Sequence, residues 1–185
     1  RDAMAFWWHG GVAPRGLPLE MIDLLVPRIC WWLNTRSRRT RFLALSSDSG
    51  VLVVVAVSSD ADGGTVALGA AARFDPVDAC LAAATEMIQT EAALTGALAA
   101  GVEEAMAWQR YAAIPVQAQF RPTRTGQPTG WTTGSMEELL RRLADLGLRA
   151  LSVDLTLPGD PLVTVRVLVS GLCDMDGRIH EPRMR

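Results

Sequence analysis

The protein has 185 residues, of which 49% are hydrophobic, and a formal net charge of −2 at pH 7. This length and composition predict one compact domain or two small ones with a real core, and they exclude wholesale disorder. The balanced charge disfavours a globally basic nucleic-acid-binding protein, so no nucleic-acid partner is expected. Every one of the 18 basic residues is arginine, which excludes Schiff-base and P-loop lysine chemistry within this sequence.

The cysteines and histidines are few and scattered. Cys30, Cys80 and Cys173 are far apart and form no CxxC pair, and His9 and His180 are the sole imidazoles. This pattern predicts a reducing, cytoplasmic environment without a disulfide framework or a zinc site. No apolar run reaches membrane-spanning length, so no membrane association is expected. The sequence begins with an arginine, and we therefore expect a fragment, a processed piece or one half of a split protein.

The first 41 residues are rich in aromatic and basic side chains. Residues 1–16 are predicted to be irregular, and residues 17–26 form a helix that ends at a proline. Trp31 and Trp32 follow and are expected to pack on the core. The run 35–41 contains four arginines within six residues. It is interpreted as a solvated loop, with phosphate or leader-peptide binding as the alternative.

Tryptophan is abundant for a chain of this size, with six residues in all. Trp7, Trp8, Trp31 and Trp32 are predicted to form either a peptide-binding shelf or a buried seam with a further part of the protein.

Three strands are predicted next, at 42–46, 51–58 and 65–72. The links "SDSG" and "SDADGG" between them are typical of hairpin turns. The three strands therefore indicate a small antiparallel meander.

A long helix is predicted over 75–100, with Asp75 as its N-cap and Pro76 at its first helical position. At 100° per residue, its apolar face is expected to dock on the sheet and carries Val77, Cys80, Leu81, Ala84, Met87 and Ile88. Glu86 and Gln89 are neighbours on the opposite face, which also carries Ala79 and Ala82. A carboxylate can hold Mg²⁺ and a carboxamide can bind a ligand edge, although a solvated polar stripe has the same spacing.

Glu91 falls within the apolar face of the same helix. Either the helix turns away from the sheet at this point, or Glu91 pairs with an arginine.

The last third of the chain contains a weaker helix at 101–116 and a Pro- and Gly-rich loop at 119–134. A helix at 135–148 starts with the capping box "SMEE" and ends at a glycine. Strands at 149–157 and 162–170 flank the turn "PGDP". Because helices and hairpins do not alternate as βαβ units, the predicted class is α+β, with antiparallel β-sheets covered by helices.

Four stretches in collinear order resemble the YcaO superfamily. "GTVALGAAARFDPVDACLAAATEMIQTEAAL" (64–94) is similar to the central "GxAAxxDPxxAxxxAxxExxQ" segment, and "WWLNTRSRR" (31–39) to "WWYNRxRRP" of azoline-forming cyclodehydratases. "SSDSGVLVVVAV" (46–57) resembles the "TxDxGIPVxxAV" strand pair. Residues 143–185 resemble the C-terminal segment of the family. The resemblance implies a single YcaO-like domain portion over 1–185, divided into a lead-in (1–41), a sheet with a long helix (42–116), a loop (117–134) and a helix with a β-hairpin (135–185).

The resemblance implies ATP-dependent activation of backbone amides in a ribosomally made precursor peptide, with ATP and Mg²⁺ as cofactors. In that family a Cys, Ser or Thr side chain attacks the preceding backbone carbonyl, and the amide oxygen is then phosphorylated. Loss of phosphate leaves a thiazoline or an oxazoline. Relatives that use an external sulfur nucleophile make thioamides. Carried over by position, Glu86 is a Mg²⁺ ligand, Gln89 contacts the nucleotide or a metal-bound water, and Arg166 faces phosphate.

The partners implied are the precursor peptide and either an N-terminal YcaO half or a protein that presents the leader peptide. Homo-oligomers are a further arrangement left open.

Several positions depart from the family pattern. Ala82 stands where an Asn or Arg is common, Leu52 and Ser170 replace prolines, and Leu157 replaces an arginine. The acidic "SxxExxER" pattern of an N-terminal helix is missing. These departures favour an alternative, a degenerate and non-catalytic YcaO-like subunit that binds peptide or serves as a scaffold.

Overall fold

A computed structural model describes residues 2–126 and 134–172. The elements in chain order are α1 (Asp2–Trp8), β1 (Arg15–Leu17), α2 (Leu19–Leu25), α3 (Pro27–Thr35), β2 (Arg39–Leu45), β3 (Leu52–Ser59), β4 (Ala67–Arg73), α4 (Pro76–Ala99), α5 (Glu103–Tyr111), a 3₁₀ turn (Ala118–Phe120), β5 (Arg124–Thr125), α6 (Met136–Asp145), β6 (Ala150–Asp154) and β7 (Val165–Val169).

Five strands form one sheet in the order β4-β3-β2-β1-β5. Pairing is antiparallel except between β1 and β5, which run parallel. In the central meander Phe42 lies opposite Ala56, and Val55 lies opposite Ala70. The predicted antiparallel meander is confirmed, and β4 forms one edge of the sheet.

The sheet is covered on both faces. Phe42 and Ala44 belong to a core shared with α2, α3 and α4. Leu43 and Leu45 belong to a second core with α1 and the segment that follows α5. Since both faces are covered, all eight residues of β3 are buried, and its sequence is a continuous apolar run rather than an alternating one. The predicted α+β class with a helix-covered antiparallel sheet is confirmed.

The prediction of an irregular segment at 1–16 is wrong. Trp7 in α1 is fully buried, and its indole N–H donates to the carbonyl of Gln119 at 3.0 Å. Trp8 stacks on Trp108 with ring centroids 5.7 Å apart. These contacts hold α1 against the second face of the sheet, and a helix of seven residues depends on such packing rather than on its own propensity. Trp7 therefore belongs to the core of this chain itself.

The prediction that Trp31 and Trp32 pack on the core is also wrong. The two residues are 68% and 39% exposed. The predicted helix does end before Pro27, because α2 stops at Leu25 with Val26 as its C-cap, and Pro27 also begins α3, which buries Cys30 and Leu33. The tryptophans thus lie on the outward side of α3.

The arginine-rich run is not a solvated loop. β2 begins at Arg39, and Arg36 and Arg38 form ion pairs with Glu91 of α4 at 2.6 Å and 3.3 Å. The prediction that Glu91 pairs with an arginine is confirmed.

Helix α4 starts as predicted. The Asp75 carboxylate accepts hydrogen bonds from the backbone N–H groups of Val77 and Asp78 at 2.8 Å and 3.0 Å. The buried face differs in part from the prediction, because Leu81 is 41% exposed and Ala79 is fully buried. Ala79, Ala83 and Ala84 are all fully buried, so the buried face of the helix is rotated relative to the position that apolar periodicity alone indicates.

Helix α6 and the hairpin β6–β7 form as predicted, and α5 is shorter than the predicted 101–116 helix. The Ser135 hydroxyl accepts from the N–H of Glu138 at 3.2 Å. The Glu138 side chain pairs with Arg141 and Arg142. Predictions that fall on 127–133 and 173–185 lie outside the described residues. No helix in the described part of the chain is long and apolar enough to cross a membrane.

Candidate functional site

The Glu86 carboxylate lies at the free edge of the sheet. Glu86 is exposed on α4, and its Oε2 accepts a hydrogen bond from the backbone N–H of Ala70 in β4 at 3.0 Å. Oε1 has no hydrogen-bond partner among the described residues. The structure therefore fixes one carboxylate oxygen and leaves the other accessible.

Gln89 lies one turn further along α4 and is also exposed. No hydrogen bond or ion pair engages its side chain within the described residues. The predicted neighbouring placement of Glu86 and Gln89 on the outward side of α4 agrees with this geometry.

Glu91 on the same helix has a different environment. Burial raises its pKa, but hydrogen bonds from Arg36 and Ser58 and the charges of Arg36 and Arg38 outweigh burial, so the pKa is lowered. Its side chain is 13% exposed. Glu91 is thus held within a structural ion-pair network, whereas Glu86 is open to a ligand.

Ala82, one turn before Glu86, is half-buried and packs against the first core. This position supplies no polar group to the outward side of α4.

Arg166 lies on β7 and is exposed. Its backbone partner is Val153, in a two-stranded sheet that is separate from the five-stranded one. None of the contacts in the described part of the chain joins Arg166 to Glu86 or Gln89, so the structure does not bring the three predicted site residues together.

The donor set fits part of a Mg²⁺ site. No group of three His, Cys, Asp or Glu side chains that could hold a metal ion occurs among residues 2–126 and 134–172. Mg²⁺ is usually bound through one or two carboxylates, with waters and substrate phosphates as its other ligands. Glu86, with one accessible oxygen, fits one such carboxylate.

Neither described cysteine has the character of a nucleophile. Burial, assisted by the charge of Asp75, raises the pKa of Cys80 to about 12. Burial and the nearby Asp23 likewise raise the pKa of Cys30, although a hydrogen bond from Asn34 opposes the shift. Both thiols are buried and stay protonated at neutral pH.

Sequence reasoning missed the backbone part of the site. The Ala70 N–H that contacts Glu86 is a main-chain group, and no side-chain pattern reports it. A signal was present in Gly69, because a glycine inside a strand often marks a close backbone approach.

The family model described as YcaO cyclodehydratase, binding ATP and Mg²⁺, matches residues 1–173. A structure described as a heterocyclase in complex with substrate and cofactor is 21% identical with a TM-score of 0.78, and the match covers 93% of this chain and 25% of that chain. YcaO from Methanopyrus kandleri bound with AMPPCP and Mg²⁺ is 27% identical with a TM-score of 0.66, over 93% and 49% of the two chains.

The E. coli microcin synthetase McbBCD complex with pro-MccB17 bound is 13% identical with a TM-score of 0.62, over 91% of this chain and 47% of the other. Curated proteins give no match. The chain thus spans 25% to 49% of the length of these solved structures. ATP and Mg²⁺ are the cofactors in the description of the family, and the family model covers nearly the whole sequence. This chain belongs to the YcaO family.

Proposed function

We propose that this chain supplies part of the nucleotide and Mg²⁺ site of an ATP-dependent cyclodehydratase. Its substrate is a ribosomally made precursor peptide whose backbone amides become thiazolines or oxazolines, or thioamides when an external sulfur nucleophile is used. The observation that carries the proposal is the Glu86 carboxylate at the edge of β4, with one oxygen fixed by Ala70 and the other accessible.

Each predicted site residue has a role in this proposal. Glu86 binds Mg²⁺, and Gln89, exposed one turn away, contacts the nucleotide or a metal-bound water. Arg166 offers a positive charge to phosphate from the separate hairpin. When bound, ATP with Mg²⁺ supplies the phosphoryl group that makes the amide oxygen a leaving group.

The rest of the site is proposed to come from further polypeptide. The chain covers a quarter to a half of the structures that it resembles, and Glu86 is a single carboxylate without an acidic cluster around it in the described residues. An N-terminal YcaO half, or a partner that presents the leader peptide, is expected to complete the site.

A second candidate is a non-catalytic YcaO-like subunit that binds peptide. The packing of Ala82 against the core favours this candidate, because it leaves the helix turn before Glu86 without a polar group.

A titration with AMPPCP and Mg²⁺, in the presence of the cognate partners, tests the proposal. We expect Glu86→Gln to weaken binding by about tenfold or more, equivalent to about 1.4 kcal/mol, since it removes one charged metal ligand. Glu104→Gln, a change of the same kind at an exposed carboxylate on α5, is the control and should bind as the wild type does.

Absence of nucleotide binding by the wild-type complex would favour the non-catalytic subunit. ADP release that Glu86→Gln leaves unchanged would reject Glu86 as the metal ligand.

A further inference from the structure

Gly69 lies in the middle of β4 and is buried against α4. A Cβ atom built at this position would overlap the backbone of Met87 and Ala83 and would lie 2.8 Å from the carbonyl carbon of Glu86. The strand and the helix therefore meet backbone to backbone at this one residue, and only glycine permits that approach.

The close approach of α4 to β4 positions the backbone of Glu86, from which its side chain extends. Glu86 lies beside Gly69 in space, and the next strand residue, Ala70, donates its N–H to Glu86 Oε2. We propose that Gly69 and the Ala70 N–H act together as positioning groups that hold the Glu86 carboxylate for its ligand. The inference rests on the proposed role of Glu86 as a metal ligand.

The physical reason is the geometry of a metal ligand. Hydrogen bonds from the surrounding protein orient the groups that bind a metal, and removing such a partner typically costs about 10- to 100-fold in metal affinity. One oxygen held by Ala70 removes the rotational freedom of the carboxylate, and the other oxygen is left for the cation. Without the Gly69 contact, α4 would lie further from β4, and the N–H would no longer reach Oε2.

Fold stability by itself does not require this hydrogen bond. β4 is an edge strand, and water can satisfy an N–H that points away from the sheet. Gly96, in the exposed part of the same helix, has open space where a Cβ would lie. An alanine at position 69 would therefore clash with the backbone of α4, whereas an alanine at position 96 would meet open space.

The first test is amide hydrogen exchange followed by NMR on the full chain without metal. In the wild type we expect the Ala70 amide to be protected by its bond to Glu86. Gly69→Ala should speed exchange at Ala70 by about tenfold or more, which corresponds to about 1.4 kcal/mol of lost local stability, while Val55 in the neighbouring strand β3 stays protected. Gly96→Ala should leave both amides unchanged.

The second test measures the affinity for Mn²⁺, a paramagnetic substitute for Mg²⁺, in the presence of AMPPCP and the cognate partners, because further polypeptide is proposed to complete the site. Gly69→Ala and Ala70→Pro are each expected to weaken Mn²⁺ binding by about tenfold or more, and Gly96→Ala should bind as the wild type does. Ala70→Pro removes the donor without removing a ladder hydrogen bond, because this N–H faces Glu86.

The outcomes separate the two proposals. A folded Gly69→Ala variant with unchanged Ala70 protection and unchanged Mn²⁺ affinity overturns the positioning role. If Gly69→Ala does not fold, Ala70→Pro decides, and unchanged Mn²⁺ affinity rejects the role. If the wild type binds no Mn²⁺, the metal-binding function fails, while loss of Ala70 protection in Gly69→Ala still supports the geometric link to Glu86.

Discussion

At the scale of single residues, Glu91 shows how a charge is accommodated in an apolar helix face. Arg36 donates two hydrogen bonds to its carboxylate, at 2.6 Å and 3.0 Å. The Arg36 guanidinium also lies over the Trp32 ring, 4.6 Å from its centroid. Arg38 adds a second charge and donates to Ser58 in β3 at 2.8 Å. The two guanidinium groups, just after the end of α3, therefore connect that end to the sheet and to α4.

Glu91→Gln should destabilise the fold in a pH-dependent manner. We expect a loss of about 2 kcal/mol at pH 7, somewhat less than for a fully buried pair. The lowered pKa of Glu91 means that its stabilising effect is fully present above the pKa of a glutamate in the unfolded chain. The effect is lost as the pH falls through the lowered folded-state pKa. Urea unfolding at a series of pH values measures the difference between the two proteins.

Asp145→Asn is the control for this measurement. Asp145 pairs with Arg141 at 2.8 Å, but both side chains are mostly exposed, so little change in stability is expected. If the free energies of unfolding of the wild type and Glu91→Gln differ by the same amount at every pH down to the acid transition, the assigned role of the Glu91 charge is contradicted.

At the scale of elements, α4 owes its start to local chemistry. The Asp75 side chain satisfies two backbone N–H groups of the first turn, and Pro76 occupies a position where no N–H is needed. The beginning of α4 is thereby fixed, with two residues between it and the end of β4.

Asp75→Ala should destabilise the protein by about 1 kcal/mol, the usual cost of losing an N-cap. Thermal unfolding measures the effect. Thr85→Ala, at an exposed position inside the same helix, is the matched control and should be neutral or slightly stabilising, because alanine has the higher helix propensity. Equal stabilities of Asp75→Ala and the wild type would show that the cap contributes nothing.

At the scale of the whole molecule, the two sheets differ in how they are covered. The five-stranded sheet has a core on each face. In the hairpin β6–β7, by contrast, apolar side chains such as Leu151, Val165 and Val167 are exposed. The hairpin, α6 and the sheet line a partly open apolar pocket of about 640 Å³. The hairpin thus has much less of its apolar surface buried than the five-stranded sheet.

Amide hydrogen exchange should therefore be faster in the hairpin than in the sheet. We expect the amides of β3, whose residues are all buried, to be the slowest, and those of β6 and β7 to exchange far faster, since few buried contacts oppose their opening. Exchange monitored by mass spectrometry on the full chain measures both regions at once. Equal protection in the two sheets would contradict the exposure of the hairpin and would indicate that other polypeptide covers it in solution.

The sequence alone was enough to predict the elements whose signals are local. The turns between β2, β3 and β4 follow from their Asp and Gly residues, the start of α4 from Asp75 and Pro76, and the start of α6 from Ser135. The order of motifs also pointed to the YcaO family. These features depend on residues close together in the chain, so a single sequence contains the information for them.

The tertiary structure alone decided which surfaces meet. Hydrophobic periodicity could not predict that α1 packs in the core, that Trp31 and Trp32 are exposed, or that α4 is rotated so that Ala79 is buried. Each of these features depends on the element packed opposite. The candidate site also has one part that the sequence predicts and one part that depends on packing. The sequence supplied Glu86 and Gln89 as neighbours on a helix, but the hydrogen bond from Ala70 and the close approach at Gly69 join backbone atoms of two elements. Such contacts arise from the packing of strand against helix, and no spacing within one element encodes them.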